Sequence, residues 1–220
     1  MKNNFEILLN CPLFNGIEPE NLAHLLSCLG AKSYAYKKGE TIFAEGEPAK
    51  NLGIVLSGAV QIIRLDYYGN RSIVAGIEPP QIFGESFAFS GPGTLPVDVI
   101  AVEDTEVMLL DARNITQTCC NACSFHNSLI YNLLNVVARK NILFNQKIEV
   151  TSKRSTREKL LTYLSLQAKL NNSRSFTIPY DRQELADYLE VDRSGLSAEI
   201  SKLRNEGIIS CKRSSFTLMF

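Results

Sequence analysis

The chain has 220 residues, 45% of them hydrophobic, which favours two domains over one. Its formal charge is zero, but residues 151–220 carry 12 Lys and Arg against 8 Asp and Glu, whereas residues 1–150 carry 11 against 15. No run of 18 uncharged apolar residues occurs and Met1-Lys2-Asn3-Asn4-Phe5 opens without an apolar stretch, which predicts a cytoplasmic protein with no membrane partner.

Six cysteines (Cys11, Cys28, Cys119, Cys120, Cys123 and Cys211) are too sparse for a disulfide scaffold, so free thiols in a reducing compartment are expected. The basic C-terminal third behind an acidic body suggests a polyanion-binding domain attached to a second module.

In chain order, Ile17, Leu22, Leu25, Leu26 and Leu29 have helical spacing, broken by Pro12 and Pro19 and stopped by Gly30. From Ala31 to Asp111 the pattern changes to short apolar or alternating runs: 33–36, 41–44, 52–56, 59–65, 72–77, 97–102 and 106–110. Turn signals separate them, among them Lys38-Gly39, Ser57-Gly58, Gly69-Asn70 and Gly91-Pro92-Gly93. A roll or barrel of antiparallel strands fits this spacing.

Helical periodicity returns over 124–150 with two adjacent apolar stripes. One runs through Leu129, Leu133, Val136, Lys140, Leu143, Lys147 and Val150; the other through Ile130, Leu134, Val137, Asn141, Phe144 and Ile148. A helix apolar on two faces can cover its own β-unit with one and a second subunit with the other. Leu129, Leu133, Val136, Val137 and Leu143 are the predicted dimer interface, with Lys140 and Asn141 setting register. A polar stretch, Thr151 to Thr156, reads as a hinge, followed by helical spacing through Leu160, Leu164 and Leu170 and an extended segment at Phe176-Thr177-Ile178.

Asp181 and Glu184 make an Asp-x-x-Glu helix start, with Leu185, Ala186 and Leu189 facing inward. Glu190-Val191-Asp192 turns the chain, and Asp192 caps a second helix carrying Leu196, Ile200 and Leu203 inward and ending at Gly207. Ile208 to Cys211 and Phe216 to Met219 read as a hairpin wing. This is a winged helix-turn-helix, whose second helix presents its first turns to base edges in the major groove. Arg193, Ser194 and Ser197 lie on that face, Arg193 with the fork that matches a guanine edge. Arg182 with Gln183, Lys202, Lys212 and Arg213 are placed to meet DNA as well, the four cations as phosphate contacts.

In sum the residues predict an α+β chain. An N-terminal jelly-roll of the double-stranded β-helix type spans 1–123, a dimerisation helix 124–150 and a winged helix-turn-helix 151–220. Its motifs resemble the catabolite-activator and fumarate–nitrate-reduction regulator (CRP/FNR) family. The matches are Gly39-Glu40, Glu45-Gly46-Glu47, Ser57-Gly58-Ala59-Val60, Ile82-Phe83-Gly84-Glu85 and Arg182-Gln183-Glu184-Leu185-Ala186.

The resemblance implies a homodimeric, promoter-binding transcription regulator that works with RNA polymerase and answers to an effector in the roll. It puts that effector around Gly84, Glu85, Ser86, Leu95, Pro96, Phe144 and Asn145. In nucleotide-binding relatives an Arg-Ser or Arg-Thr pair holds the cyclic phosphate; Leu95 and Pro96 stand there, so cyclic AMP is not the expected effector. The family's second recognition arginine falls on Ala198, an acidic residue used by several members falls on Ser194, and Glu190 replaces the usual turn glycine.

No cofactor, metal or catalytic residue is expected. Two other readings compete: a redox or iron–sulfur sensor of the same fold, built on Cys11, Cys28 and the Cys120-Asn121-Ala122-Cys123 segment, and a cupin-type enzyme. The first lacks the tightly spaced N-terminal cysteines of such relatives. The second lacks histidines, since none lies between residues 25 and 125.

Overall fold

The computed structural model describes residues 2–91, 93–116 and 124–219; Pro92, Cys119, Cys120 and Cys123 lie outside them. Helices α1 (Lys2–Leu9) and α2 (Pro19–Cys28) flank a 3-10 turn, Pro12–Phe14. Pro12 and Pro19 stand in first turns, where a missing N–H breaks no helical bond.

The strands follow: β1 (Lys32–Tyr36), β2 (Thr41–Phe43), β3 (Asn51–Ser57), β4 (Val60–Leu65), β5 (Arg71–Ile77) and β6 (Ile82–Phe83). After a one-turn helix, α3 (Glu85–Ala88), come β7 (Asp98–Ala101) and β8 (Thr105–Asp111), then α4 (Ala112–Thr116). They form two four-stranded sheets, β1-β8-β3-β6 and β2-β7-β4-β5, with consecutive strands often in opposite sheets. This is the expected jelly-roll. The two-residue β6 was not among the predicted strands, because two residues carry no alternation.

Two cores result. Phe43, Val55, Val60, Val97, Val99 and Val107 pack between the sheets. Leu13, Phe14, Leu22, Leu25, Leu52, Ile54 and Leu110 pack between the N-terminal helices and the first sheet. At Gly53 on β3 an added Cβ would lie 2.1 Å from the Phe83 ring, so only glycine lets that ring close over the strand.

Helix α5 (Ser124–Thr151) is one unbroken element of 28 residues. Leu129 is fully buried and Leu133 nearly so, both within the core beneath α1 and α2, with Val136 against it. This corrects the predicted dimer interface at Leu129 and Leu133, which are committed to the core of their own chain, while Val136 stays half-buried at its edge. The face left bare holds Ile130, Leu134, Val137, Leu143 and Ile148. Lys140 is also committed to its own chain, as described below, rather than to a seam.

The last part begins at α6 (Thr156–Leu170), where Ser155 and Glu158 form a capping box. Strand β9 (Ser175–Thr177), helices α7 (Arg182–Leu189) and α8 (Arg193–Asn205), and strands β10 (Ile209–Lys212) and β11 (Ser215–Leu218) complete it. The strands form one sheet, β10-β11-β9. Internal contacts divide the chain into Met1–Gly69 with Val74–Asn141, and Asn70–Ile73 with Ile142–Phe220, a boundary that falls inside α5.

Glu190 ends α7 at φ 54°, ψ 57°, the left-handed conformation that a side chain disfavours. Glu190→Gly should therefore raise the unfolding free energy by about 1 kcal/mol and Glu190→Val should lower it. Urea titration of the three proteins measures both signs.

Candidate nucleic-acid interface

The geometry of the helix-turn-helix starts from its caps. The Asp181 carboxylate accepts the Glu184 N–H at 2.8 Å, and the Glu184 carboxylate accepts the Asp181 N–H at 2.9 Å. At the start of α8 the Asp192 carboxylate accepts the Gly195 N–H at 2.8 Å and a short bond from the Ser194 hydroxyl. These two donors, the Ser194 hydroxyl foremost, hold the Asp192 carboxyl below its ordinary 3.8.

Both helices are held by buried apolar faces: Leu185, Ala186 and Leu189 on α7, and Leu196, Ile200 and Leu203 on α8, over Leu160 and Leu164 of α6. Ala186 is fully buried, as its inward-facing position predicted. A ring cluster of Tyr163, Tyr180 and Tyr188 adds to this core, with centroid separations of 5.3 and 4.9 Å, and the Lys147 ammonium lies over the Tyr188 ring.

Two further anchors were invisible in the sequence. Arg157 of α6 reaches Glu199 at 3.1 Å and Glu206 at 2.5 Å, tying α6 to the length of α8. Lys159 donates to the Leu189 and Glu190 carbonyls at 3.1 and 3.2 Å, placing a cation at the negative end of α7. Each joins residues 30 or more positions apart, beyond any local pattern.

Because the apolar faces point inward, the polar face of α8 is left to solvent. Arg193 is exposed at its first position, with no side-chain partner among the described residues. Lys202, Lys212 and Arg213 are exposed too, the last at φ 54° in the wing turn. Ser197 is half-buried one turn beyond Arg193.

The other predicted contacts have local duties. Ser194 is spent on the Asp192 cap. Gln183 donates to Asp187 at 2.8 Å, and the Arg182 guanidinium stacks over Phe216 and donates to the Arg213 carbonyl at 3.5 Å.

In the roll, Gly84 starts α3 at φ 82°, where a Cβ would meet Phe43 and the Asn51 carbonyl at 3.0 and 3.1 Å. Glu85 is buried, and its carboxylate accepts the Lys140 ammonium at 3.0 Å and the exposed Ser86 hydroxyl at 3.2 Å. Lys140 also donates to the Ile82 carbonyl at 2.6 Å. Leu95 belongs to the core between the sheets, while Pro96 is exposed. In the second unit, Phe144 is half-buried and Asn145 exposed.

A cyclic nucleotide-binding domain model matches residues 34–121, and a Crp-like helix-turn-helix domain model matches residues 158–219. The chain belongs to the CRP/FNR family. As a CRP/FNR chain it is similar to the CRP-like cAMP-activated global transcriptional regulator of Mycobacterium tuberculosis, 32% identical over 106 residues. That match covers 48% of this chain and 46% of the relative, so the chain spans about half the length of that protein. The nitrogen fixation regulation protein FixK of Rhizobium meliloti is 26% identical over 178 residues, covering 80% and 77%. The solved structure of FixK2 from Bradyrhizobium japonicum shares the fold, with a TM-score of 0.67 at 24% identity over 86% of this chain and 93% of that one.

A depressed Asp192 carboxyl means the cap is fully made above about pH 3.8 and is lost as pH falls through the lowered folded value. The Gly195 amide resonance should titrate with a midpoint below 3.8, and in Asp192→Asn that step should vanish. An NMR pH series on the two proteins reads this directly.

Proposed function

We propose that this CRP/FNR chain is a sequence-specific DNA-binding transcription regulator that acts as a homodimer in the cytoplasm and works with RNA polymerase at promoters. The observation that carries the reading is the solvent-facing Arg193 at the capped start of α8, inside a domain matched by the Crp-like helix-turn-helix model. A guanidinium there presents two donors to the N7 and O6 acceptors of guanine. Lys202, Lys212 and Arg213 supply charge for phosphates, which orient the domain without reading sequence. Ser197 is the second base-facing candidate, while Arg182 and Gln183 brace the wing and α7.

Dimerisation rests on the bare stripe of α5. Leu134 and Ile148 are 65% and 62% exposed, and Ile130, Val137 and Leu143 lie beside them, a row of apolar side chains that a second copy would cover. Leu134→Glu with Val137→Glu should give monomers in light scattering and leave each chain folded by circular dichroism. A wild-type protein that is monomeric at micromolar concentration overturns the homodimer.

The two DNA roles separate by salt dependence. Arg193→Ala should cost roughly 1–3 kcal/mol on the preferred duplex and relax selection at one base per half-site. Lys212→Ala should weaken all duplexes alike and reduce the salt slope by about one unit. Anisotropy titrations against a selected operator and a scrambled duplex, over a salt series, distinguish them. If Arg193→Ala weakens both duplexes equally, Arg193 is a phosphate contact and α8 does not lie in the groove as proposed.

A further inference from the structure

We infer that Lys140 acts as a built-in ligand of the roll, so that its pair with Glu85 does the holding that an effector would do and the chain binds DNA without a small molecule. The inference rests on the regulator reading above and assigns the regulation of that same roll site.

A carboxylate only 3% exposed has almost no water and needs a counter-charge. Lys140 supplies it from the middle of α5, 55 residues away, with a side chain itself only 18% exposed. The same ammonium takes the Ile82 carbonyl, so it grips the β6–α3 corner on both sides of Phe83. Three N–H donors on a compact charge can serve two acceptors in this way.

Three observations favour an occupied site over one waiting for a ligand. A ligand hydroxyl offered to Glu85 would have to compete with a full positive charge already at 3.0 Å. Leu95 is packed into the core and offers a phosphate no charge-assisted bond. Lys140 interrupts an apolar stripe between Val136 and Leu143, where a residue serving only to pack would be apolar; its buried partner accounts for it.

The device is a clamp. Breaking it frees the corner at 82–88 from α5, and α5 carries both the proposed dimer face and the connection to the DNA-binding domain.

The test uses the full chain, unfolded and refolded to strip bound small molecules. Wild-type protein should bind the selected operator with the same affinity with and without cyclic AMP, cyclic GMP or cyclic di-GMP. Lys140→Met and Glu85→Gln should each lose about tenfold or more in operator affinity. Lys140→Arg should retain most of it, and exchanging the charges in Glu85→Lys/Lys140→Glu should restore part.

Hydrogen exchange gives a readout that needs no DNA. Amides of 82–88 and 136–143 should be protected in the ligand-free wild type and loosened in Lys140→Met, with circular dichroism confirming the fold of each variant. Operator binding that appears only on adding a nucleotide overturns the inference, as does a Lys140→Met protein matching the wild type in both exchange and affinity. If wild type binds no duplex at all, the regulator reading fails by itself, and unchanged exchange in Lys140→Met then rejects the clamp as well.

Discussion

Leu129 and Leu133 of α5 are sealed beneath α1 and α2 against the β1-β8-β3-β6 sheet, and this burial sets the rotation of the helix about its own axis. With 3.6 residues per turn, every later position then has a determined direction. Lys140, seven residues after Leu133, falls on the same inward side and meets Glu85 and the Ile82 carbonyl. Leu134 and Val137 fall on the adjacent side and stay bare. One packing choice thus yields both a charged clamp within the chain and an apolar strip facing away from it.

In the C-terminal unit, burial of the apolar side of α8 decides which side is available. Leu196, Ile200 and Leu203 bind it to α6 and α7, Arg157 braces it through Glu199 and Glu206, and Asp192 closes its first turn. Polar residues then divide by whether they have work inside the domain. Ser194, Gln183 and Arg182 do, whereas the side chains of Arg193, Lys202, Lys212 and Arg213 are exposed to solvent. An exposed cation costs little in water and is available to a polyanion.

Much of this was legible in the sequence. Capping residues announce themselves within three positions, so Asp181 with Glu184, and Asp192, were readable as helix starts, and both aspartates cap as expected. Turn glycines and alternating strands gave the roll, apart from β6, whose two residues are too few for a period. On α5, periodicity finds apolar positions but does not say what each one covers: Leu129 and Leu133, read as dimer contacts, lie buried in the core of their own chain.

What the sequence determined by itself is therefore what acts over short separations: helix caps, strand alternation, turn conformations, and the order of roll, long helix and winged helix-turn-helix. What only the tertiary structure decided is the pairing of charges far apart in the chain. Glu85 reads as an effector-pocket residue and Lys140 as a register-setting position in a stripe until the fold brings them to 3.0 Å. Arg157 and Lys159 belong to no local pattern, and only the fold sets them against α8 and the end of α7. Local patterns follow from bond geometry and neighbouring side chains, whereas a buried ion pair exists only once packing has removed water from both its members.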